Sequence, residues 1–160
     1  MKSTRPLILA AVLSIFAAAP AAADITAFLG ANTTPANRQT RGVAVGVGFL
    51  IVAFEFEYAF TPDDPTATAP SLRTGSANVL LQSPIAFMGV QPYFTTGGGL
   101  FRETLGTHQE TNFALNSGGG VKVALAGPIR LRIDYRVSKL GDGALSSPAH
   151  RVYAGLNLKF

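Results

Sequence analysis

The chain has 160 residues, with 13 basic and 9 acidic side chains and no cysteine, and this length suits a single domain. No disulfide can form, so stability must come from burial and hydrogen bonding. Without Lys2 and Arg5, which precede an apolar N-terminal segment, 11 basic residues remain against 9 acidic ones. So small an excess argues against a nucleic-acid-binding protein and against a basic protein of the membrane surface.

The N-terminus has the pattern of a secretory signal peptide. A short basic region is followed by the apolar segment Pro6–Ala19 and by the small residues Ala21–Ala23 before Asp24. The apolar segment, about fourteen residues, is shorter than the roughly twenty that a spanning helix needs. We therefore predict a cleavable signal peptide at 1–23 and a mature domain at 24–160. A retained amphipathic or anchoring helix is the alternative, and without cysteine a lipoprotein anchor is excluded.

Alternating apolar and polar residues predict eight β-strands in the rest of the chain. The facing of the fifth strand cannot be assigned, because proline and three glycines interrupt its alternation. In chain order the strands are Ile25–Asn32, Gly42–Phe49, Phe54–Phe60, Ser76–Gln82, Val90–Phe101, Asn112–Leu125, Ile129–Val137 and His150–Phe160.

The predicted connections alternate between long and short. Three short turns lie around Leu50, Ser83 and the segment Ala126–Pro128. In an antiparallel up-and-down sheet this alternation sorts all long loops to one end. The long connections are polar and rich in turn-forming residues; they are Thr33–Thr40, Thr61–Gly75, Arg102–Thr111 and Ser138–Ala149. The pattern predicts an all-β fold, an eight-stranded antiparallel up-and-down transmembrane β-barrel.

Volume decides which face of the sheet lies inside. Periodicity alone fits either a membrane barrel or a soluble periplasmic ligand-binding barrel with an apolar core. The interior of eight strands is only just wide enough for side chains, and the four aromatic residues of Phe54–Phe60 would overfill it. Glycines such as Gly118 and Gly120 share the polar face and leave room for long charged side chains. We therefore expect the charges inside and the apolar face in lipid.

The polar faces of four predicted strands carry charged residues that would form an interior network. A buried ion without a partner costs several kcal/mol, so these residues must pair. Such an interior is either a selective pore or a closed plug held by ion pairs, and eight strands favour the plug. The predicted members are Glu55, Glu57, Lys122, Arg130, Arg132, Asp134, Arg136 and Arg151.

No motif predicts a catalytic, cofactor or metal site. The glycine triplets 97–99 and 118–120 do not lie between a strand and a helix, as a phosphate-binding loop requires. His108 and Glu110 lack further metal ligands, and Asp63–Asp64 lacks the spacing of a calcium loop.

Three segments resemble small bacterial outer-membrane β-barrels of the kind formed by the OmpA transmembrane domain and the opacity proteins. They are GVQPYFTTGGG, NFALNSGGGVKVALAGPIRLRIDYRV and the terminal VYAGLNLKF. The resemblance implies a monomeric, integral outer-membrane protein that contributes to envelope integrity or to adhesion through its extracellular loops. It also implies contact with outer-membrane lipid and lipopolysaccharide, and with periplasmic chaperones and the assembly machinery during biogenesis. That machinery would read the last strand, at Tyr153, Leu156, Leu158 and Phe160.

The residues that an enzyme of this kind would need are missing. Lipid A deacylase barrels carry a His-Tyr-Ser sequence on a late strand, which supplies base and nucleophile. The similar position here is Asp134-Tyr135-Arg136, so both chemical groups are missing. We expect a non-enzymatic protein without cofactors, and a narrow passive pore is the alternative function.

Overall fold

A computed structural model describes residues 22–160 as eight β-strands and one short 3₁₀ turn. Residues 1–21, most of the expected signal peptide, lie outside the described residues, and the cleavage site stays a prediction. The strands are β1 (Ala22–Asn32), β2 (Arg38–Phe49), β3 (Val52–Thr61), β4 (Ser71–Gln82), β5 (Val90–Leu105), β6 (His108–Ala126), β7 (Ile129–Leu140) and β8 (Ala149–Lys159).

The sheet closes into a barrel in which each strand pairs antiparallel with the next and β8 pairs with β1. The closing ladder runs from Asp24 opposite Lys159 to Asn32 opposite Arg151. Beyond it, the backbones of Ala23 and Phe160 exchange two hydrogen bonds of 2.9 Å. Because closure removes both sheet edges, no strand is left with a row of unpaired backbone groups. The predicted all-β, eight-stranded up-and-down fold is confirmed.

The connections lie at two rims. The terminal rim carries both ends of the described chain and the turns 50–51, 83–89 and 127–128. The loop rim carries four connections, which we name L1 (33–37), L2 (62–70), L3 (106–107) and L4 (141–148). Within residues 22–160 no helix is long and apolar enough to cross a membrane.

The predicted alternation of long and short connections is wrong in two places. The segment Arg102–Thr111 is not a loop, because β5 and β6 continue to the two-residue turn L3, where Gly106 has a φ of 58°. At the terminal rim the turn 83–89 spans seven residues and is longer than L1. Several strands also extend beyond their predicted ends at the loop rim.

The reason is that the polarity of the two faces reverses near the loop rim. Along the middle of the barrel, apolar side chains point outward and polar ones inward. Near the loop rim the interior holds an apolar cluster formed by Leu72, Phe101, Ala114, Leu140 and Ala149. The outward positions there carry Arg41, Arg73 and Arg102 instead. A rule that places apolar residues outside therefore fails in these segments.

The outer surface of the middle section is an apolar belt, interrupted on β5 and β6 by the exposed, hydrogen-bonded pair Thr96 and Ser117. Its exposed members come from all eight strands, as expected of a surface that faces hydrocarbon. They include Ile25, Leu29, Val43, Val45, Val47, Phe54, Phe56, Tyr58, Val79, Leu81, Phe94, Leu100, Phe113, Leu115, Ile133, Tyr135, Val152, Leu156 and Leu158.

Glycines on the inner face make room for aromatic rings. The two glycine triplets noted in the sequence lie within β5 and β6, not in a phosphate-binding loop. A Cβ built at Gly120 would lie 2.6 Å from the Tyr93 hydroxyl oxygen, and one at Gly42 would lie 2.9 Å from Phe28 Cε1. Both distances are too short for a real contact, so these rings occupy the space that a side chain would need.

We expect Gly120→Ala to destabilise the barrel by about 1–3 kcal/mol, the usual range for an overpacked site, because its Cβ would lie 2.1 Å from the Ile133 carbonyl oxygen and 2.6 Å from the Tyr93 hydroxyl oxygen. The measurement is the urea midpoint of the refolded protein in detergent. Gly75→Ala is the matched control, since a Cβ at this outward strand glycine meets its nearest atom at 3.9 Å. Equal midpoints for the two variants would show that the interior beside Gly120 has room for a methyl group.

Candidate functional site

Four carboxylates and five cations lie together inside the barrel, on β1, β3, β6, β7 and β8. The most exposed side chain among them is that of Arg130, at 14%. The structure brings together all eight charged residues predicted for the interior and adds Asp24. We call this set the interior network; it consists of Asp24, Glu55, Glu57, Lys122, Arg130, Arg132, Asp134, Arg136 and Arg151.

Arg132 lies at the centre of the interior network and is fully buried. Its guanidinium donates two hydrogen bonds to the Glu55 carboxylate, the longer of them 3.1 Å, and one of 3.2 Å to Asp134. Its Nε donates to the Tyr93 hydroxyl at 2.8 Å, and that hydroxyl donates to Asp134. The guanidinium also lies 4.9 Å from the centre of the Tyr93 ring. Carboxylates and an aromatic face thus replace the water that this cation loses.

Glu57 connects β3 to β7 and β8. Its Oε2 lies 2.9 Å from Arg136 Nη1 and accepts a hydrogen bond of 3.3 Å from the Tyr153 hydroxyl, while Oε1 accepts one from Arg151. Arg136 Nη2 in turn donates to Asp134 at 3.2 Å. Two arginines therefore share one buried carboxylate, and the chain of contacts continues to Arg132 through Asp134.

Asp24 closes the interior network toward the terminal rim. Its Oδ2 accepts hydrogen bonds from Lys122 at 2.7 Å and from Arg130 at 3.0 Å. Arg130 also donates to Asn157 at 2.8 Å and to Gln91 at 3.2 Å. The sequence did not indicate this role, because Asp24 falls at the predicted start of the mature chain. The signal available was its phase in β1, two residues before the inward-facing Thr26.

Neither Tyr93 nor Phe28 was among the predicted site residues. Tyr93 was missed because the facing of its strand could not be assigned from the sequence. Phe28 stacks on Tyr153 with ring centres 4.0 Å apart, and the Arg151 guanidinium lies 5.5 Å from the Phe28 ring. An inward phenylalanine breaks the apolar-outside pattern, so no rule based on alternation would select it.

Two charged residues near the loop rim hold the connections in place. Arg38 donates to the backbone carbonyls of Thr34 in L1, at 3.1 Å, and of Pro62 and Pro70 at the two ends of L2, the first at 3.1 Å. Glu103 accepts a hydrogen bond of 2.8 Å from the backbone N–H of Leu145 in L4. Interior side chains therefore organise three of the four loops.

L2 contains a capped 3₁₀ turn at Pro65–Ala67. The Asp64 side chain accepts hydrogen bonds from the Thr66 hydroxyl at 2.6 Å and from the Thr66 backbone N–H at 3.0 Å. These bonds, the hydroxyl one first, lower the pKa of the Asp64 carboxyl. Like Arg38 below it, this cap gives the loop a defined backbone conformation.

The four residues predicted as an assembly signal lie on two faces of the last strand. Leu156, Leu158 and Phe160 point outward and are exposed, Phe160 by 65%. Tyr153 points inward and is buried in the interior network. Only the first three are therefore accessible from outside the folded barrel.

The two histidines lie near the loop rim. His150 Nδ1 lies 2.7 Å from the Tyr135 hydroxyl on the outer surface. His108 and Glu110 are near the L3 end of β6. Within the described part of the chain no three His, Cys, Asp or Glu side chains are grouped so that they could hold a metal ion.

No protein-family profile and no curated protein sequence matches the chain, whereas solved structures do. The N-terminal β-barrel domain of Pseudomonas aeruginosa OprF superposes with a TM-score of 0.67 at 14% identity, over 87% of this chain and 97% of that one. Neisserial surface protein A gives 0.66 at 20% identity, over 88% and 96%. The chain has the fold of the small eight-stranded outer-membrane β-barrels.

The same fold occurs in Ail, the attachment invasion locus protein of Yersinia pestis, solved in complex with the heparin analogue sucrose octasulfate. Its TM-score is 0.57 at 12% identity, over 88% of this chain and 98% of that one. At such identities the likeness concerns the fold, which agrees with the resemblance found in the sequence to OmpA-like and opacity-like barrels.

The double substitution Glu55→Gln with Glu57→Gln is expected to lower the free energy of unfolding by about 3 kcal/mol or more, because Arg151 loses its counter-ion and Arg132 and Arg136 keep only Asp134. The urea midpoint of the refolded barrel in detergent measures this change. The matched control is Asp63→Asn with Asp142→Asn, which removes two exposed loop carboxylates and should cost less than about 0.5 kcal/mol. A loss that small in the Glu55/Glu57 variant would mean that both acids are hydrated.

Proposed function

We propose that the protein is an integral outer-membrane β-barrel that acts without catalysis, as a structural and surface-interaction protein of the envelope. The observation that carries the proposal is the combination of an exposed apolar belt with a desolvated, ion-paired interior. In water such a belt would be an aggregation surface, which argues against the soluble periplasmic barrel. The fold of OprF, neisserial surface protein A and Ail supports an outer-membrane location.

A closed interior favours this role over that of a passive pore. Arg132, Arg136, Tyr153, Phe101 and Leu80 are all less than 2% exposed and fill successive levels of the barrel. A cavity beside Glu57 and Asn116 measures only about 10 Å³, roughly the space that one water molecule needs. An ion crossing the barrel would have to separate buried ion pairs, so we infer that the folded protein does not conduct.

Recognition would then belong to the loop rim. A rigid scaffold that positions its loops is the usual basis of specificity at protein surfaces, and L1, L2 and L4 are held from inside by Arg38 and Glu103. With the loop rim outside the cell, these loops would meet extracellular partners and would support adhesion or envelope integrity. Lipid and lipopolysaccharide would surround the belt, and the barrel would function as a monomer.

The proposal of a non-enzymatic role rests on the surroundings of the histidines. His150 pairs with Val137, and its Nδ1 lies 2.7 Å from the Tyr135 hydroxyl on the outer face. Within residues 22–160 no carboxylate is hydrogen-bonded to either ring to orient the histidine as a base. His108 lies at the end of the β5–β6 hairpin, and its pairing partner is Leu105. The His150–Tyr135 pair therefore lacks the third group that orients a catalytic base, and His108 Nε2 has no hydrogen-bond partner within residues 22–160.

We expect the protein to begin at Asp24 after processing, to stay with the outer membrane after carbonate washing, and to give no stable current steps in planar bilayers. N-terminal sequencing, fractionation and conductance recordings measure these three properties. Before the recordings, a shift in gel mobility on heating would show that the sample is a folded barrel. Recovery from the soluble periplasm would contradict the membrane location, and regular current steps from a folded sample would contradict the plug.

Removal of Phe160 should impair assembly in cells far more than the stability of barrels that have formed. Its exposed ring contributes at most about 2 kcal/mol of burial in lipid, whereas recognition of the last strand by the assembly machinery would be lost entirely. The truncated chain should accumulate as degraded or periplasmic material in cells, yet refold in detergent with near-normal heat-modifiability. Equal losses in both settings would assign Phe160 to packing alone.

A further inference from the structure

Three outward arginines lie next to one another near the loop rim. Arg41 on β2 is opposite Phe60 on β3, Phe60 is opposite Arg73 on β4, and Arg73 is opposite Arg102 on β5. The guanidinium groups of Arg41 and Arg73 lie 5.5 and 5.3 Å from the centre of the Phe60 ring. We call Arg41, Arg73 and Arg102 the arginine row; the side chains of two of its members lie against the same aromatic ring.

The arginine row has no counter-ions in the part of the chain that the structure describes. Among residues 22–160 none of its three members forms an ion pair or a hydrogen bond through its side chain, whereas every arginine of the interior network does. The row also marks the end of the apolar belt. Outward positions below it carry Val43 on β2 and Leu100 on β5, so the row stands where a lipid headgroup would meet the hydrocarbon.

An apolar groove of about 860 Å³ runs along the outer wall up to the arginine row. Its floor is low because Ala27 and Ala154 are small, and bulkier side chains such as Tyr58 and Leu156 form its sides. Arg41, Phe60 and Arg73 line its upper end. The volume lies within the range of about 300–1,000 Å³ typical of sites for small organic ligands, and the lining suits an acyl chain.

A second, polar pocket of about 240 Å³ adjoins the groove. Arg73 lines both, and the other lining residues are Arg102, Ser71, Thr104 and Gln109. Guanidinium groups bind phosphate with paired hydrogen bonds. The hydroxyl and amide groups beside them could also bind the hydroxyls of a sugar. Acyl-chain, phosphate and sugar chemistry therefore meet at Arg73.

We propose that this outer wall binds one phosphorylated glycolipid of the surrounding leaflet, with a phosphate among the arginine row, its sugar in the polar pocket and an acyl chain in the groove. The inference rests on the proposed function, since it requires a barrel embedded in a membrane with its loop rim outside. A simple phospholipid would leave the polar pocket unused, and a soluble polyanion would leave the groove empty.

The test is native mass spectrometry of the full-length, folded protein in detergent, titrated with bis-phosphorylated lipid A. We expect one bound lipid, and we expect Arg41→Gln with Arg73→Gln to weaken binding at least about tenfold, as for the loss of charge-assisted hydrogen bonds. Dephosphorylated lipid A should bind to the wild-type protein more weakly by a similar factor. Lys139→Gln with Lys159→Gln, which removes two exposed charges elsewhere, should change binding less than about twofold.

The groove is tested separately by Ala154→Phe, which fills it without altering charge, with the outward-facing Ala77→Phe on β4 as its control. Only Ala154→Phe should weaken lipid binding. This variant tests the proposal on its own if the arginine variant does not fold. Any one of four results would overturn the proposal. The first two are equal binding by Ala154→Phe and wild type, and equal losses in the two charge variants. The others are tighter binding of phosphatidylglycerol than of lipid A, and full competition by inorganic phosphate or sucrose octasulfate. If wild type fractionates with the outer membrane and yet shows one of these results, only this inference fails.

Discussion

The narrow interior of an eight-stranded barrel leaves no room for an ion that is not paired, and the rest of the structure depends on this constraint. Moving a carboxylate or a guanidinium out of water costs several kcal/mol, which only close contact with opposite charge offsets. Arg132 meets this condition with Glu55, Asp134 and Tyr93 on three different strands. A slip of one residue in any ladder would turn such a side chain into lipid, so the interior network also fixes the register.

The sequence predicted the number of strands, their antiparallel order and the division of charged and apolar faces, because side chains alternate strictly along a strand. It could not predict which carboxylate contacts which arginine, since that depends on the stagger between strands far apart in the chain. Asp24 and Lys122, separated by 98 residues, meet only because β1 and β6 face each other across the barrel. Tyr93 was missed because glycines and a proline hide the phase of β5.

The same reasoning failed near the loop rim because the environment there changes while the backbone does not. Leu72 and Phe101 point into the barrel and pack against each other, whereas Arg73 and Arg102 beside them point out. A strand that leaves the hydrocarbon keeps its hydrogen-bonded ladder but reverses its preference for apolar residues outside. Polar segments such as Arg102–Thr111 then look like loops in sequence, although they are paired strands.

Closure of the sheet and neutralisation of its charges occur together, because the last strand supplies both the backbone partner of β1 and side-chain partners of the buried Glu57. β8 completes the barrel by pairing with β1, and in the same step it brings Arg151 and the Tyr153 hydroxyl to Glu57. Before β8 docks, Glu57 lacks two of its three partners and the Phe28 ring has nothing to stack on. The open sheet is therefore penalised twice, by unpaired edges and by an unsatisfied carboxylate, so partly closed barrels should be poorly populated. The inward residues of β8 thus make closure favourable, while Leu156, Leu158 and Phe160 point outward and take no part in the interior network.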